Sequence, residues 1–375
     1  MSVAAERTTV DARVERLRGA AEEAGLDAVL VTNDASISYF TGFSGIQLER
    51  LFAVAVPVSG GGALVVPRLE EDAAAAAPSG LGRVVYDPSS DGMPELVEAL
   101  GRGGRGGGGR VGVEENHLVF ARAEALREAG CVPHPAADLV MGLRARKDAA
   151  EVEGMRHACR VVTEVMEQMF AELEVGAVER AVNVLVAHRL SERGATESHP
   201  LVLFGAHAAN PHGHPGNRTL EPGDVVCADI SARVDGYWGD LTRCGTVGPP
   251  SDWAQAAWET VRDAQAAAIE ATRVGVAGRE VDAAQRRIVE ARPDLGRCLH
   301  GAGHAIGAEI HEPPFLVPRT TAPLEAGMCV TIEPGLYGAG IGGIRLEDQV
   351  LVTDDGPELL SNLPLELRSI GEGRS

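Results

Sequence analysis

The sequence predicts an α+β protein in two domains, residues 1–142 and 143–375, on three observations. The first third alternates helical and strand periodicities as an α/β layer structure does. A long amphipathic helical pattern then opens at Asp148. Beyond it, helices alternate with strands that fit antiparallel hairpins better than one parallel sheet. Taken in order, Val14, Leu17, Ala20, Ala21 and Ala24 share one helical face that Gly25 closes, and residues 27–32 read as a buried strand. Strands are expected at 51–58, 63–67, 83–86 and 110–113, with helices near 69–77, 94–100 and 118–129, giving a three-layer sandwich. The glycine-rich run 101–110 lacks the Gly-Lys-Ser/Thr ending of a phosphate loop and leads into a strand, so it is expected to be a surface loop. A proline-rich approach, Val132 to Pro135, precedes the boundary near 141–147. The second domain is expected to hold helices at 148–173, 178–193, 253–273 and 278–291, and strands at 225–231, 236–244, 328–333 and 344–353. No repeat of 20–50 residues is visible.

Composition narrows the function. The 375 residues are 45% hydrophobic and 23% charged, a globular balance with room for two cores. A net charge of -20 repels phosphate backbones and anionic lipid, so neither nucleic acid nor a membrane surface is an expected partner. No apolar run reaches the roughly 18–20 residues of a membrane span, and the charged N-terminus lacks a secretory h-region, so a cytoplasmic enzyme is expected. Six cysteines without a CxxC pair predict buried thiols rather than disulfides or a zinc ribbon. Lysine occurs once, at Lys147, among 33 arginines, which reads as coding bias and says little about function.

Chemistry concentrates in the second domain. Asp229 and Asp240 stand symmetrically about the turn at Val234, Asp235 and Gly236. If the flanking strands pair as a hairpin, the two carboxylates are expected directly opposite, with Cβ atoms roughly 4.5–5.5 Å apart, where they repel unless a cation lies between them. Glu333 and Glu347 are likewise symmetric about Gly340. Between the two pairs, His300, His304 and His311 gather among glycines that let backbone approach closely. Four carboxylates and a histidine form a hard donor set for two divalent ions: manganese, cobalt or iron, with zinc a further option. Two such ions about 3.5–4 Å apart hold a water as hydroxide and polarise a carbonyl, which makes hydrolysis the expected chemistry. No G-x-S-x-G elbow, H-E-x-x-H helix or Walker loop competes.

Together these motifs resemble the pita-bread metallopeptidase family, which includes aminopeptidase P, prolidase, methionine aminopeptidase and creatinase. The resemblance rests on Asp229 and Asp240, His304 between Gly303 and Gly307, Glu333 before Pro334-Gly335, and Glu347 after Arg345-Leu346, in the family's order and spacing. Residues 25–32 and 37–44 resemble the creatinase-type N-terminal domain, which methionine aminopeptidases lack, and so favour the Xaa-Pro branch. The resemblance implies a creatinase-like α/β N-terminal domain followed by a pita-bread catalytic domain, and a dinuclear exopeptidase acting on Xaa-Pro bonds of short peptides. It implies that Asp229 binds one ion, that Asp240 and Glu347 bridge, that His304 and Glu333 complete the second ion's shell, and that manganese is expected first. It further implies that Glu333 shuttles the proton, that His212 lies near the scissile bond, and that His311 stabilises the tetrahedral intermediate. His300, Tyr337 and Arg345 match positions around the active site, and a homodimer is expected.

Two departures stand out. His207 replaces an asparagine common in relatives and is expected to alter the substrate rim, and Phe315 stands where several dipeptidases place an arginine, with Arg319 nearby as a substitute. An X-Pro bond offers no N–H, so an apolar pocket is required, for which Phe204, Tyr337 and residues beside His212 are candidates. A creatinase- or ectoine-hydrolase-like amide hydrolase and a non-catalytic binding module are the alternatives. The second would be expected to have lost a ligand.

Overall fold

A computed structural model describes residues 3–101 and 109–371 of the chain, so residues 102–108 of the glycine-rich run lie outside the described residues. The chain divides into two compact units, residues 1–144 and 145–375.

The first unit contains α1 (Val3–Glu23), β1 (Ala28–Val31), α2 (Asp34–Thr41), β2 (Ala53–Pro57), β3 (Ala63–Pro67), α3 (Glu71–Ala76), β4 (Gly82–Tyr86), α4 (Met93–Gly101), β5 (Arg110–Val113), α5 (Phe120–Glu128), β6 (Val132–Pro135) and α6 (Ala137–Ala145). The strands form one six-stranded mixed sheet in the order β4-β3-β2-β1-β5-β6. Strand side chains alternate faces. Val29, Val31, Val54 and Val56 therefore pack with Val14 and Leu17 of α1, while Leu30, Ala53, Ala55 and Val65 pack with Leu96 of α4 and Leu126 of α5. The expected three-layer sandwich is present. The Pro-rich segment is a correction: Val132–Pro135 is not merely an approach to the boundary but a strand. It lies at the sheet's edge, where missing N–H groups cost no ladder bond.

The second unit opens on α7 (Ala149–Glu172). Asp148 caps it by accepting from Ala150 N and Glu151 N, and the Glu151 side chain accepts from Asp148 N to complete a capping box. Then follow α8 (Glu179–Glu192), β7 (Ala195–Phe204), β8 (Val225–Val234), β9 (Tyr237–Val247), α9 (Asp252–Ala271), α10 (Gly278–Val289), β10 (Gly303–Ala305), β11 (Glu312–Leu316), β12 (Cys329–Ile332), β13 (Gly335–Gly338), β14 (Gly342–Arg345), β15 (Asp348–Thr353), β16 (Gly356–Leu359) and β17 (Arg368–Ile370). They form sheets ordered β17-β9-β8-β7 and β11-β10-β12-β15-β16, and the two-stranded ribbon β13-β14. The expected strand 344–353 is thus two strands, interrupted at Leu346 and Glu347.

Alternation on β8 decides where chemistry can appear. Val226, Ala228, Ile230 and Ala232 face the core made with α7 and α8. Val225 and Cys227 lie on the other face, packed with Trp258 and Val261 of α9, and farther along that face come Asp229 and Ser231. All six cysteines are free, five of them buried and Cys298 partly so.

Candidate metal centre and active-site cavity

The hairpin β8–β9 turns on Asp235 and Gly236, both with positive φ (51° and 87°), the two-residue turn that Asp-Gly favours. That turn pairs Val234 with Tyr237, and hence Ser231 with Asp240 and Asp229 with Thr242. Asp229 and Asp240 are therefore not directly opposite, as symmetry about the turn suggested, but diagonal neighbours on the same face. The diagonal still leaves both carboxyls in one cavity.

The expectation for the second pair holds in register. Ile332 pairs with Asp348 and Gly335 with Arg345, so Glu333 and Glu347 occupy facing positions where the ladder lapses between two sheets. The lapse frees their backbones for other partners. Glu333 N donates to Ala302 O (2.8 Å), while Glu347 N donates to Thr242 O (3.1 Å) and receives Thr242 N at its own carbonyl (3.4 Å). Thr242 Oγ1 also donates to Glu347 Oε2 at 2.7 Å. The two hairpins are thus joined at Thr242, the register partner of Asp229, which is why carboxylates more than a hundred residues apart converge.

His304 enters on β10, beside a glycine the site cannot replace: a Cβ on Gly303 would fall 2.0 Å from Thr331 O. His304 Nδ1 donates to Ala305 O at 3.1 Å, because a carbonyl can only accept, and Nε2 keeps its lone pair for a ligand. One donor atom each from Asp240, His304 and Glu347 lie within 4.8 Å of one another, and all three residues are buried. Glu333 Oε1 lies 3.7 Å from His304 Nε2, and Asp229 borders the same cavity. The buried Asp240 Oδ1 has no hydrogen-bond partner. A lone buried carboxylate oxygen is costly without a donor or a cation, so this donor set fits divalent metal.

Electrostatics agree. Burial, then Asp229 and Glu333, push the Asp240 carboxyl well above its ordinary range, and burial with Asp240 and Glu333 does the same to Glu347. Burial raises Glu333 to about 8 against the opposing pull of Arg345. Burial, aided by His311, drops His304 to about 3, so its imidazole is neutral, as a ligand must be.

A polar chain backs the cluster. Arg345 donates to Asp229 Oδ2 (2.5 Å) and to Tyr337 Oη (2.8 Å). His300 Nδ1 donates to Gly301 O, so its Nε2 accepts from the Tyr337 hydroxyl at 2.7 Å. Burial and Arg345 hold His300 down at about 4.

The cavity, about 330 Å³, is lined by Asp229, Asp240, His304, Glu333, Glu347, His212, His300, His311 and Arg345, so every site residue named from the sequence is present except Tyr337. Tyr337 is buried behind His300 and Arg345, and the expectation that it lines a proline pocket is corrected. Phe204 is corrected too: it points into the helical core. The apolar wall is instead Leu201, Pro211, Ile310, Phe315 and Val317, and Arg319 is not among the lining residues. His207 does not reach the rim. Its Nδ1 lies 2.8 Å from Glu179, a fully buried acid that also accepts from Phe204 N and Gly216 N and so staples both ends of the loop carrying His212.

Sequence reasoning missed His199, a lining residue on β7 whose ring stacks on Trp238 with centroids 5.1 Å apart. Its signal was strand alternation alone: on β7 it shares a face with Leu201 and pairs with Ser231, Asp240's own partner.

The profile of metallopeptidase family M24 matches residues 153–354, and that of the creatinase/prolidase N-terminal domain matches residues 13–146. The chain is similar to the crystal structure of the dipeptidase PepE from Mycobacterium ulcerans (TM-score 0.89, 31% identity, 97% of this chain and 99% of that one). It is similar also to an Xaa-Pro dipeptidase from Bacillus anthracis (TM-score 0.87, 31% identity, 96% and 100%). An uncharacterized peptidase of Staphylococcus haemolyticus is 31% identical over 354 residues, 93% of this chain and 99% of its own.

Proposed function

We propose, for a chain that belongs to metallopeptidase family M24 and has that family's pita-bread fold behind a creatinase-type N-terminal domain, that it is an exopeptidase hydrolysing Xaa-Pro bonds of short peptides. The observation that carries this reading is the buried convergence of Asp240, His304 and Glu347 beside Asp229 and Glu333, facing a wall of Leu201, Pro211, Ile310, Phe315 and Val317. A tertiary amide with a ring on its nitrogen suits an apolar wall, and the similar Bacillus anthracis structure is an Xaa-Pro dipeptidase.

Asp240 and Glu347 would bridge two divalent ions, with Asp229 on one and His304 and Glu333 on the other. Manganese is the first choice, with cobalt, zinc or iron as alternatives. Such ions, when bound, supply Lewis-acid polarisation of a carbonyl and acidify a water. Glu333 carries the proton from the attacking water to the leaving proline nitrogen. His311 is exposed beside His304 (ring centroids 4.2 Å), with burial and His212 lowering its pKa, so it donates one N–H to the developing oxyanion as a neutral imidazole. His212 holds the substrate near the scissile bond, and Arg345 orients Asp229. Phe315 in the wall, where several dipeptidases have arginine, favours acceptance of peptides extended beyond proline. We further propose a cytoplasmic homodimer with no nucleic-acid or membrane partner.

The test is a release assay with added Mn(II), Co(II) or Zn(II) on an X-Pro dipeptide, an X-Pro tripeptide and an X-Ala control. Cleavage of the X-Pro substrates alone is expected, with the tripeptide at least as fast. A metal-loaded enzyme that spares all three would move the reading to a non-peptide amide.

A further inference from the structure

Resting on the reading that His311 serves the substrate, we infer that the buried ion pair Lys147–Glu312 is the positioning device for His311. Lys147 Nζ lies 2.9 Å from Glu312 Oε2, and the two side chains are 1% and 0% exposed. Removing two charges from water this completely is expensive, and such pairs often stabilise a fold no better than apolar residues of similar size. Stability is therefore a poor reason for the chain's single lysine to sit here. What the pair joins is a better one.

Glu312 directly follows His311. Ile306 N still donates to Cys329 O of β12 (3.1 Å), and beyond it the segment to His311 lies between strands β10 and β11, outside either strand. Among the contacts that shape it, Gly307 N donates to Glu309 O (3.0 Å), Trp238 N donates to Gly307 O (2.9 Å), and Glu309 N donates to Glu312 Oε1 (3.1 Å). One oxygen of Glu312 thus closes the loop while the other takes Lys147. Lys147 is itself anchored, its backbone N donating to Gly327 O at 2.8 Å. Gly307 leaves room for the pair, since a Cβ there would fall 2.8 Å from Lys147 Cε and 3.0 Å from Glu312 Oε2. Glu312 also pairs with Ala305, whereas His304 pairs with Phe315, so the ladder carries a bulge just beyond Glu312. Holding Glu312 by its carboxylate sets the point at which the chain leaves for His311 and so keeps that ring against His304.

The double variant Lys147→Met/Glu312→Gln removes the charges while leaving an oxygen for Glu309 N and a side chain of similar length at each position, so it suits the test better than either single change. Expected for the metal-loaded protein are wild-type metal content, kcat on the X-Pro tripeptide lowered about 10- to 100-fold, and KM changed less than about 2-fold. Added to His311→Ala, the same double change is expected to cost less than about 3-fold more, because the residue it positions is gone. Amide exchange of residues 306–311 should quicken at least about 10-fold, with α7 and β8 unchanged. Wild-type kcat and exchange in the double variant would overturn the inference, as would an equal loss with and without His311. If wild-type protein cleaves no X-Pro bond, the substrate reading falls, and amide exchange alone decides for or against the pair.

Discussion

Arg243 is fully buried and donates to the carbonyls of Thr242, Glu347, Leu363 and Pro364 and to Asp348 Oδ1. It thereby fixes the backbone of Glu347, a carboxylate of the candidate metal site, from behind. Arg243→Met should lower unfolding free energy by about 3–5 kcal/mol, because buried Asp348 loses its ion-pair partner and keeps only hydrogen bonds from Ser361 and Gln265; urea titration of the metal-loaded protein measures it. Glu333→Gln should keep the cluster of Asp240, His304 and Glu347 but weaken binding of the second ion, and lose about 10²–10⁴ in kcat; metal analysis beside kcat on the X-Pro tripeptide checks it. Asp240→Ala should lose metal and activity together, checked by metal analysis after dialysis, and full activity there would sink the dinuclear reading. The candidate metal-site residues could be named from the sequence because Asp240, His304, Glu333 and Glu347 stand in short motifs with glycine or proline, and Asp229 by its place across the turn. His199 and Lys147 were not, since one lies on a strand without a motif and the other meets its partner across 165 residues.

Elements show where local reading succeeds and where pairing must be known. The helix 149–172 was legible from its amphipathic pattern opening at Asp148, and the structure adds the capping box of Asp148 and Glu151. The hairpin's existence was legible too, but its register was misplaced: the Asp235-Gly236 turn centres the ladder one residue beyond the symmetry point of the two aspartates. The split of β14 from β15 could not be read from one strand's residues, because the backbone partner that Glu347 takes at the break is Thr242 on another hairpin. Close packing makes its own prediction at Gly239, where a Cβ would fall 2.6–2.7 Å from backbone atoms of Ala158 and Cys159 on α7. Backbone cannot rotate aside, so Gly239→Ala should cost about 1–3 kcal/mol in thermal or urea unfolding and shift the neighbouring Asp240 enough to weaken metal binding.

Across the whole molecule, a net charge of -20 and a buried cluster of acids would make divalent cations bound at the candidate site part of the folding equilibrium. In metal-free protein Glu333 titrates near 8 rather than 4.5, so the folded state holds a proton that the unfolded chain has released. Stability from this source is full at low pH and is lost as pH rises toward 8. Below pH 6.5 the lowered His304 and His300 act in the opposite sense, because the unfolded chain there binds protons that they refuse. Between about pH 6.5 and 8 the acids alone remain, and metal-free protein should lose about 1–2 kcal/mol that added Mn(II) restores; melting curves with and without chelator check it. Among the described residues no helix is long and apolar enough to cross a membrane. Strand β9, which carries Asp240, has its outer edge covered by the Glu347 bridge at Thr242 and by β17, whose residues 368–370 pair with 245–247. Until those late residues emerge, a nascent chain presents an open strand edge flanked by uncompensated acids, the template on which chains pair wrongly with one another. Chains stopped before residue 347 should therefore collect in the insoluble fraction even when metal is abundant.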